Sequence, residues 1–166
     1  MLDPWRQEIE MEMEMAYQGS VLVVDDEVGP RESMRMILHP LYEVFTAQDG
    51  KEALQTIRNK EIDLVTLDLK MPGLSGMDVL KEIKRMGADV DVIIVSGYGT
   101  PKNAREAMNY GAVDFITKPF NVTDIVASVG KSVERRKYNQ KVETLIQKVK
   151  DLGVMEEEEI DKMMLH

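Results

Sequence analysis

The chain has 166 residues, enough for one domain plus an appendage, and a formal net charge of −9 from 21 Lys+Arg against 30 Asp+Glu. Five acids (Asp3, Glu8, Glu10, Glu12, Glu14) against Arg6 give residues 1–19 a charge of −4. Six acids (Asp151, Glu156, Glu157, Glu158, Glu159, Asp161) against Lys162 give residues 151–166 a charge of −5, leaving 19 against 19 between them. With no basic excess to neutralise phosphates, this chain is not expected to bind nucleic acid itself. No apolar run approaches the roughly 18 residues of a membrane span, and no basic-then-apolar N-terminal segment marks secretion. Zero cysteines remove disulfides, thiolate metal sites and cysteine nucleophiles. A cytoplasmic protein without membrane contact is the expectation.

The ends frame the reading. Residues 8–15 alternate Glu with Ile or Met, which suits a strand by period and a helix by propensity. With no partner strand evident, 1–19 is read as an acidic, mobile or helical arm. Short β-branched runs then follow at near-even spacing: Val21–Val24, Val44–Ala47, Leu64–Leu67, Val92–Val95 and Asp114–Thr117. Runs of this length suit strands buried on both faces. Between them, Ala53, Leu54 and Ile57, then Met77, Leu80, Ile83 and Lys84, then Ala104, Ala107 and Met108 carry helical spacing. Gly111 sits where a helix-terminating left-handed residue is wanted. Alternating strands and helices predict an α/β domain with a doubly wound, five-stranded parallel sheet. Five units are too few to close an eight-fold barrel.

In such sheets ligands bind beyond the carboxyl ends of the strands, where strand order reverses. Asp25, Asp26 and Glu27 follow strand one, Asp68 closes strand three, Ser96-Gly97 closes strand four, and Lys118-Pro119 closes strand five. A lone aspartate there is usually a turn or cap residue; four strands delivering acids, a hydroxyl and a lysine to one rim is not. Two carboxylates about 4 Å apart repel by about 4 kcal/mol at an effective dielectric of 20. They therefore take up a proton or hold a cation. Oxygen ligands without histidine or cysteine favour a hard divalent ion, Mg²⁺ foremost. Carboxylate, hard cation, lysine and hydroxyl together are the parts for phosphoryl transfer to a carboxylate.

At these residues the sequence resembles the receiver domain of two-component response regulators. The matching stretches are Val21–Glu27 (VLVVDDE), Asp68–Gly76 (DLKMPGLSG), Val92–Thr100 (VIIVSGYGT) and Gly111–Phe120 (GAVDFITKPF). They are most similar to the NtrC-like group. The resemblance implies a flavodoxin-like sheet of order 2-1-3-4-5 and a phosphoryl group accepted on Asp68 from a histidine kinase or phosphotransfer protein. Mg²⁺ would be held by Asp25, Asp26, Asp68 and the backbone carbonyl of Lys70. Ser96 and Lys118 would contact the phosphoryl oxygens, the Lys118–Pro119 bond would be cis, and Phe115 would share the switch role with Ser96. Lys70 and Tyr98, each two places past a site residue, would flank the phosphoryl group and set its lifetime. His39, at the far end of helix one, is read as a helix terminus.

A last helix is expected to begin after Asn121, with Thr123 or Asn121 as its cap. Tyr138, Val142, Leu145, Val149 and Leu152 then repeat at four, three, four and three, two heptads of a seam. The chain is accordingly divided into an arm (1–19), a receiver (20–133), a helix extension (134–152) that pairs two copies as a homodimer, and an acidic tail (153–166). The extended C-terminal helix is predicted to end at Gly153. The leading function is a phosphorylation-controlled switch that signals through strand five and the last helix. It is not an enzyme beyond self-phosphorylation from small donors and self-dephosphorylation. One alternative is a Mg²⁺-dependent phosphohydrolase with an Asp nucleophile, although Asp25-Asp26-Glu27 lacks the D-x-D that class uses. A constitutive dimer scaffold is the other.

Overall fold

The computed structural model describes residues 4–9, 17–153 and 155–165. The expected arm at 1–19 therefore lies partly outside the described residues; residues 4–9 of it are helical. The remaining elements run in chain order as β1 (Ser20–Val24), α1 (Val28–Leu38), β2 (Glu43–Ala47), α2 (Gly50–Asn59), β3 (Leu64–Leu67), α3 (Gly76–Arg85), β4 (Asp91–Ser96), α4 (Pro101–Asn109), β5 (Asp114–Thr117), α5 (Val122–Asp151) and α6 (Glu157–Met164). The five strands are parallel in the order β2-β1-β3-β4-β5, as the resemblance implied. Three strands start a residue earlier than the apolar runs, at Ser20, Glu43 and Asp91. Polar residues join there because backbone pairing, not hydrophobicity, defines a strand's end.

Alternate side chains of the central strands leave on opposite faces, and two cores follow. Leu22, Val24, Val65, Leu67, Val92 and Ile94 pack with Ala53 and Leu54 of α2, Val79, Leu80 and Ile83 of α3, and Ala107 of α4. Val21, Val23, Leu64, Ile93, Val95 and Ile116 pack with Met34 and Leu38 of α1 and Ile125, Val129 and Val133 of α5. β1 and β3 are buried throughout, which is why their sequence reads as unbroken apolar runs. Two short bonds tie α5 to the first residues of β5 and β4: Ser128 Oγ donates to Asp114 Oδ2 at 2.5 Å, and Ser132 Oγ to Asp91 Oδ2 at 2.6 Å.

The helix ends follow local chemistry. Asp49, Ser75 and Thr100 accept from the amides of Glu52, Asp78 and Asn103, satisfying donors that a helix start leaves open. Of the two expected caps for α5, Asn121 is used, its Oδ1 accepting from Asp124 N at 2.8 Å. His39 caps the C-terminus of α1, and Gly111 follows α4 at φ +89°. The chain divides into two compact units, residues 1–133 and 134–166. In the second, α5 stops at Asp151, Gly153 takes φ +59°, and α6 follows with Ile160 buried. Among the described residues no helix is long and apolar enough to cross a membrane.

Gly76, the first residue of α3, lies against the backbone that leaves β3. A Cβ there would meet the Asp68 carbonyl oxygen at 1.9 Å and Leu69 Cα at 2.7 Å, atoms that cannot swing aside. Gly76→Ala is therefore expected to destabilise the fold by about 1–3 kcal/mol, the range for overpacking. Urea denaturation checks this; an unchanged midpoint would contradict the close approach.

Candidate functional site

The site begins with strand register. Val24 of β1 pairs with Leu67 of β3, so the next residues, Asp25 and Asp68, emerge side by side where the chain turns to opposite halves of the sheet. The Asp25 amide donates to Ala47 O and the Asp68 amide to Val24 O, which carries the ladder one step further and fixes both backbones. Each aspartate is 5% exposed. Asp25 Oδ1 accepts from Glu27 N at 3.0 Å, and its carbonyl accepts from Arg31 Nη1 at 2.7 Å.

Lys118 reaches this pair from β5. Its Nζ donates to Asp25 Oδ2 at 2.6 Å and to Asp68 Oδ2 at 3.1 Å, and its amide donates to Ser96 O at 2.9 Å. The Lys118–Pro119 bond is cis. Burial pulls the Lys118 ammonium down, but the hydrogen bonds and charges of Asp25 and Asp68 outweigh it and hold its pKa above the ordinary value. A raised folded-state pKa stabilises the fold fully below the unfolded value, about 10.4. That stabilisation disappears as pH rises through the folded value.

Asp26 completes an acidic group. One carboxylate oxygen from each of Asp25, Asp26 and Asp68 lies within 4.8 Å of the others. Lys118 satisfies two of the three, while Asp26 Oδ1 is buried without a hydrogen-bond partner. An orphaned buried carboxylate oxygen is costly. Three carboxylates against one ammonium also leave a charge of −2, which one divalent cation would balance. Donor type, spacing and charge therefore all fit a hard divalent ion.

An open depression of about 750 Å³ sits over these groups, lined by Asp26, Asp68 and Lys118 on its floor and by Glu27, Lys70, Met71, Pro72, Gly97 and Tyr98 around it. Across the depression Lys70 Nζ donates to Tyr98 OH at 2.8 Å and lies 4.5 Å from the ring centroid. The Tyr98 hydroxyl raises the Lys70 pKa through that hydrogen bond. The Tyr98 loop is itself held: its amide donates to Ser96 Oγ at 3.1 Å and its carbonyl accepts from Asn103 Nδ2 at 2.8 Å.

Among the residues expected at the site, Asp25, Asp26, Asp68 and Lys118 come together, and Lys70 borders them. Ser96 is fully buried at the end of β4 and does not line the depression. Phe115 is half-buried and packs against the core between the sheet and α2–α4, opposite Ile94 in register. The sequence reading did not single out Arg31. Its contact is to a backbone carbonyl, which leaves no residue-type signature; only its position in the first turns of α1 hinted at the rim.

The comparisons with known proteins agree with this geometry. Residues 21–130 match the family model for the response regulator receiver domain. The chain is 34% identical over 112 residues to sporulation initiation phosphotransferase F of Bacillus subtilis, covering 67% of this chain and 90% of that one. It is 32% identical to transcriptional regulatory protein ZraR of Escherichia coli, covering 68% of this chain but 26% of that protein. The receiver domain of a LuxO repressor protein from Vibrio parahaemolyticus superimposes with a TM-score of 0.73 at 32% identity, covering 75% of this chain and 97% of that one. This chain belongs to the response regulator receiver domain family.

Two measurements test the electrostatics. In metal-free buffer, the stability gap between the protein and Lys118→Met should hold constant from neutrality to about pH 10.4 and narrow above it. A gap that narrows near neutrality would mean Lys118 is not held charged. In chelator, Asp26→Asn should be more stable than the parent because it removes the unpartnered buried charge. Added Mg²⁺ should raise the parent's thermal midpoint, by about 2.7 kcal/mol of stability at 100 times its Kd, and leave Asp26→Asn unmoved. An equal Mg²⁺ response in both would remove Asp26 from the metal site.

Proposed function

We propose that residues 20–133 accept a phosphoryl group on Asp68 from a histidine kinase or phosphotransfer protein. In this reading the chain works in the cytoplasm as a signalling switch. The observation that carries it is the Lys118 bridge beside an orphaned Asp26 oxygen. A carboxylate is paired to a lysine at the floor of an open depression, and the neighbouring Asp26 keeps one buried oxygen without a hydrogen-bond partner. Asp25, Asp26, Asp68 and the Lys70 carbonyl would hold Mg²⁺. When bound, the ion would neutralise charge on the phosphoryl oxygens and so lower their repulsion with the Asp68 carboxylate.

An Asp68 carboxylate oxygen forms the bond to phosphorus as the bond from phosphorus to the donor's leaving atom breaks, and the electron pair departs with the donor. Lys118 then exchanges part of its contact with Asp68 for a phosphoryl oxygen. Ser96 would turn its hydroxyl toward the new group, releasing the Tyr98 amide it now accepts from. That release, with space vacated near β4, would let half-buried Phe115 move inward and change the β5 and α5 surface, a shift between two populations biased by the phosphoryl group. Lys70 and Tyr98, bonded across the mouth, would limit water's access and lengthen the phosphoryl lifetime. Residues 134–152 would pair two copies as a homodimer, and the acidic tail would follow.

Incubation with acetyl phosphate and Mg²⁺, read by intact mass, tests the assignment. The protein should gain one phosphoryl group, Asp68→Asn should gain none, and Lys118→Ala should label at least tenfold more slowly, since a positioned charge contributes one or more factors of ten. Lys70→Ala and Tyr98→Ala should label but lose the group faster. Labelling that persists in Asp68→Asn would overturn the acceptor; turnover of small phosphate esters would favour the phosphohydrolase. Dimerisation indifferent to Mg²⁺ and a phosphoryl mimic would favour the scaffold.

A further inference from the structure

α1 begins at the rim with Val28 and carries Arg31 as its fourth residue. A cation so near the start of a helix is poorly placed for the helix itself, because the positive end of the helix dipole lies there. Nor does Arg31 line the depression. Its half-buried side chain turns back instead to the chain leaving β1, where Nη1 donates to the Asp25 carbonyl at 2.7 Å. Asp25 lies one step past the last β1–β3 register pair, Val24 with Leu67, and Arg31 satisfies its carbonyl there. The side chain of the same residue is also held, Oδ1 accepting from the Glu27 amide at 3.0 Å. Asp26 sits between these two anchors, and its Oδ1 is the buried oxygen without a hydrogen-bond partner.

Resting on the reading above that this rim holds Mg²⁺, we propose that Arg31 is a positioning residue for the cation: by gripping the Asp25 carbonyl it holds the buried Asp26 oxygen at the rim. The Asp25 carbonyl and the Asp26 N–H belong to one planar unit. Fixing the direction of the carbonyl therefore fixes the backbone from which the Asp26 side chain leaves. Without that bond the peptide can rotate and the unpartnered carboxylate can turn toward water, which its solvation favours. A guanidinium suits the task, since its stem reaches back from the helix and its planar head stays charged and donating at any working pH. Charge and geometry act in opposite directions here. A guanidinium beside the rim repels a cation, so if charge alone counted, its removal would tighten Mg²⁺ binding. If Arg31 acts by holding Asp26, its removal loosens binding, as loss of the groups that orient metal ligands does by about 10–100-fold. The sign of the effect separates the two.

Calorimetric titration of Mg²⁺ into the full chain reads that sign. The Kd should rise about tenfold or more in Arg31→Met and in Arg31→Ala. Arg35→Met, which removes the same charge one turn further along α1, should match the parent. A Kd unchanged or lowered in the Arg31 variants, or raised equally in Arg35→Met, would overturn the inference. Urea denaturation in chelator gives a readout without metal. Asp26→Asn should stabilise the parent there but stabilise Arg31→Met less, because the carboxylate released by Arg31→Met has already reached water. Equal gains in the two backgrounds are what a role that does not pass through Asp26 predicts, and they too would overturn it. The two readings fail separately. A parent that binds no Mg²⁺ removes the metal reading itself, whereas normal binding by the parent with undiminished binding by the Arg31 variants removes only this inference.

Discussion

Three carboxylates held on one rim repel one another, and the rest of this fold is arranged around that repulsion. Two of them are forced together by the β1–β3 register, which sets Asp25 and Asp68 on adjacent strand ends with their amides engaged in the ladder. Lys118 offsets the pair from β5, two strands away from β3 in the sheet order. The lysine cannot satisfy Asp26 as well, and the residual charge of −2 makes the site receptive to a divalent cation and then to an anionic phosphoryl group. The elements that carry these groups are also the ones most deeply buried. β1 and β3 are packed on both faces, so the cost of crowding like charges is borne by the sheet.

The site is therefore rigid at its floor and adjustable at its walls. Asp25 and Asp68 leave backbones whose amides are held by the ladder, whereas Ser96, Tyr98 and Lys70 are linked one to the next by one hydrogen bond each. Phe115 sits at an edge strand, half-buried, one residue from Asp114, whose other oxygen is tied to α5 through Ser128. A change at the rim thus has a short physical route to the helix that leaves the domain. Coupling of this kind needs two arrangements that differ by only a few kcal/mol.

The likeness to known proteins is bounded in the same way as the fold. The family match covers residues 21–130, and the chain spans most of a sporulation phosphotransferase but about a quarter of ZraR. What the chain shares with each is a stretch of 112 or 114 residues, about two thirds of its own length. The helix extension and the acidic ends are where it can differ. Of the seam expected in that extension, Val142 and Val149 are half-buried, while Tyr138, Leu145 and Leu152 are exposed.

Much was legible in the sequence because parallel strands buried on both faces write themselves as short apolar runs, and because chemistry at strand ends follows each run directly. Strand count, the helical stripes, the Asn121 start of α5 and the identity of Asp25, Asp26, Asp68 and Lys118 could all be read that way. Three things were decided only by the folded chain. The β1–β3 register, not the spacing of residues along the chain, set which carboxylates share a lysine and which is left unpartnered. Ser96 ended fully buried, since a strand-end hydroxyl can point to a neighbouring amide as readily as to the rim. And the heptad seam was split lengthwise, because a periodic pattern says which residues line a face, whereas only packing says which of them are already covered.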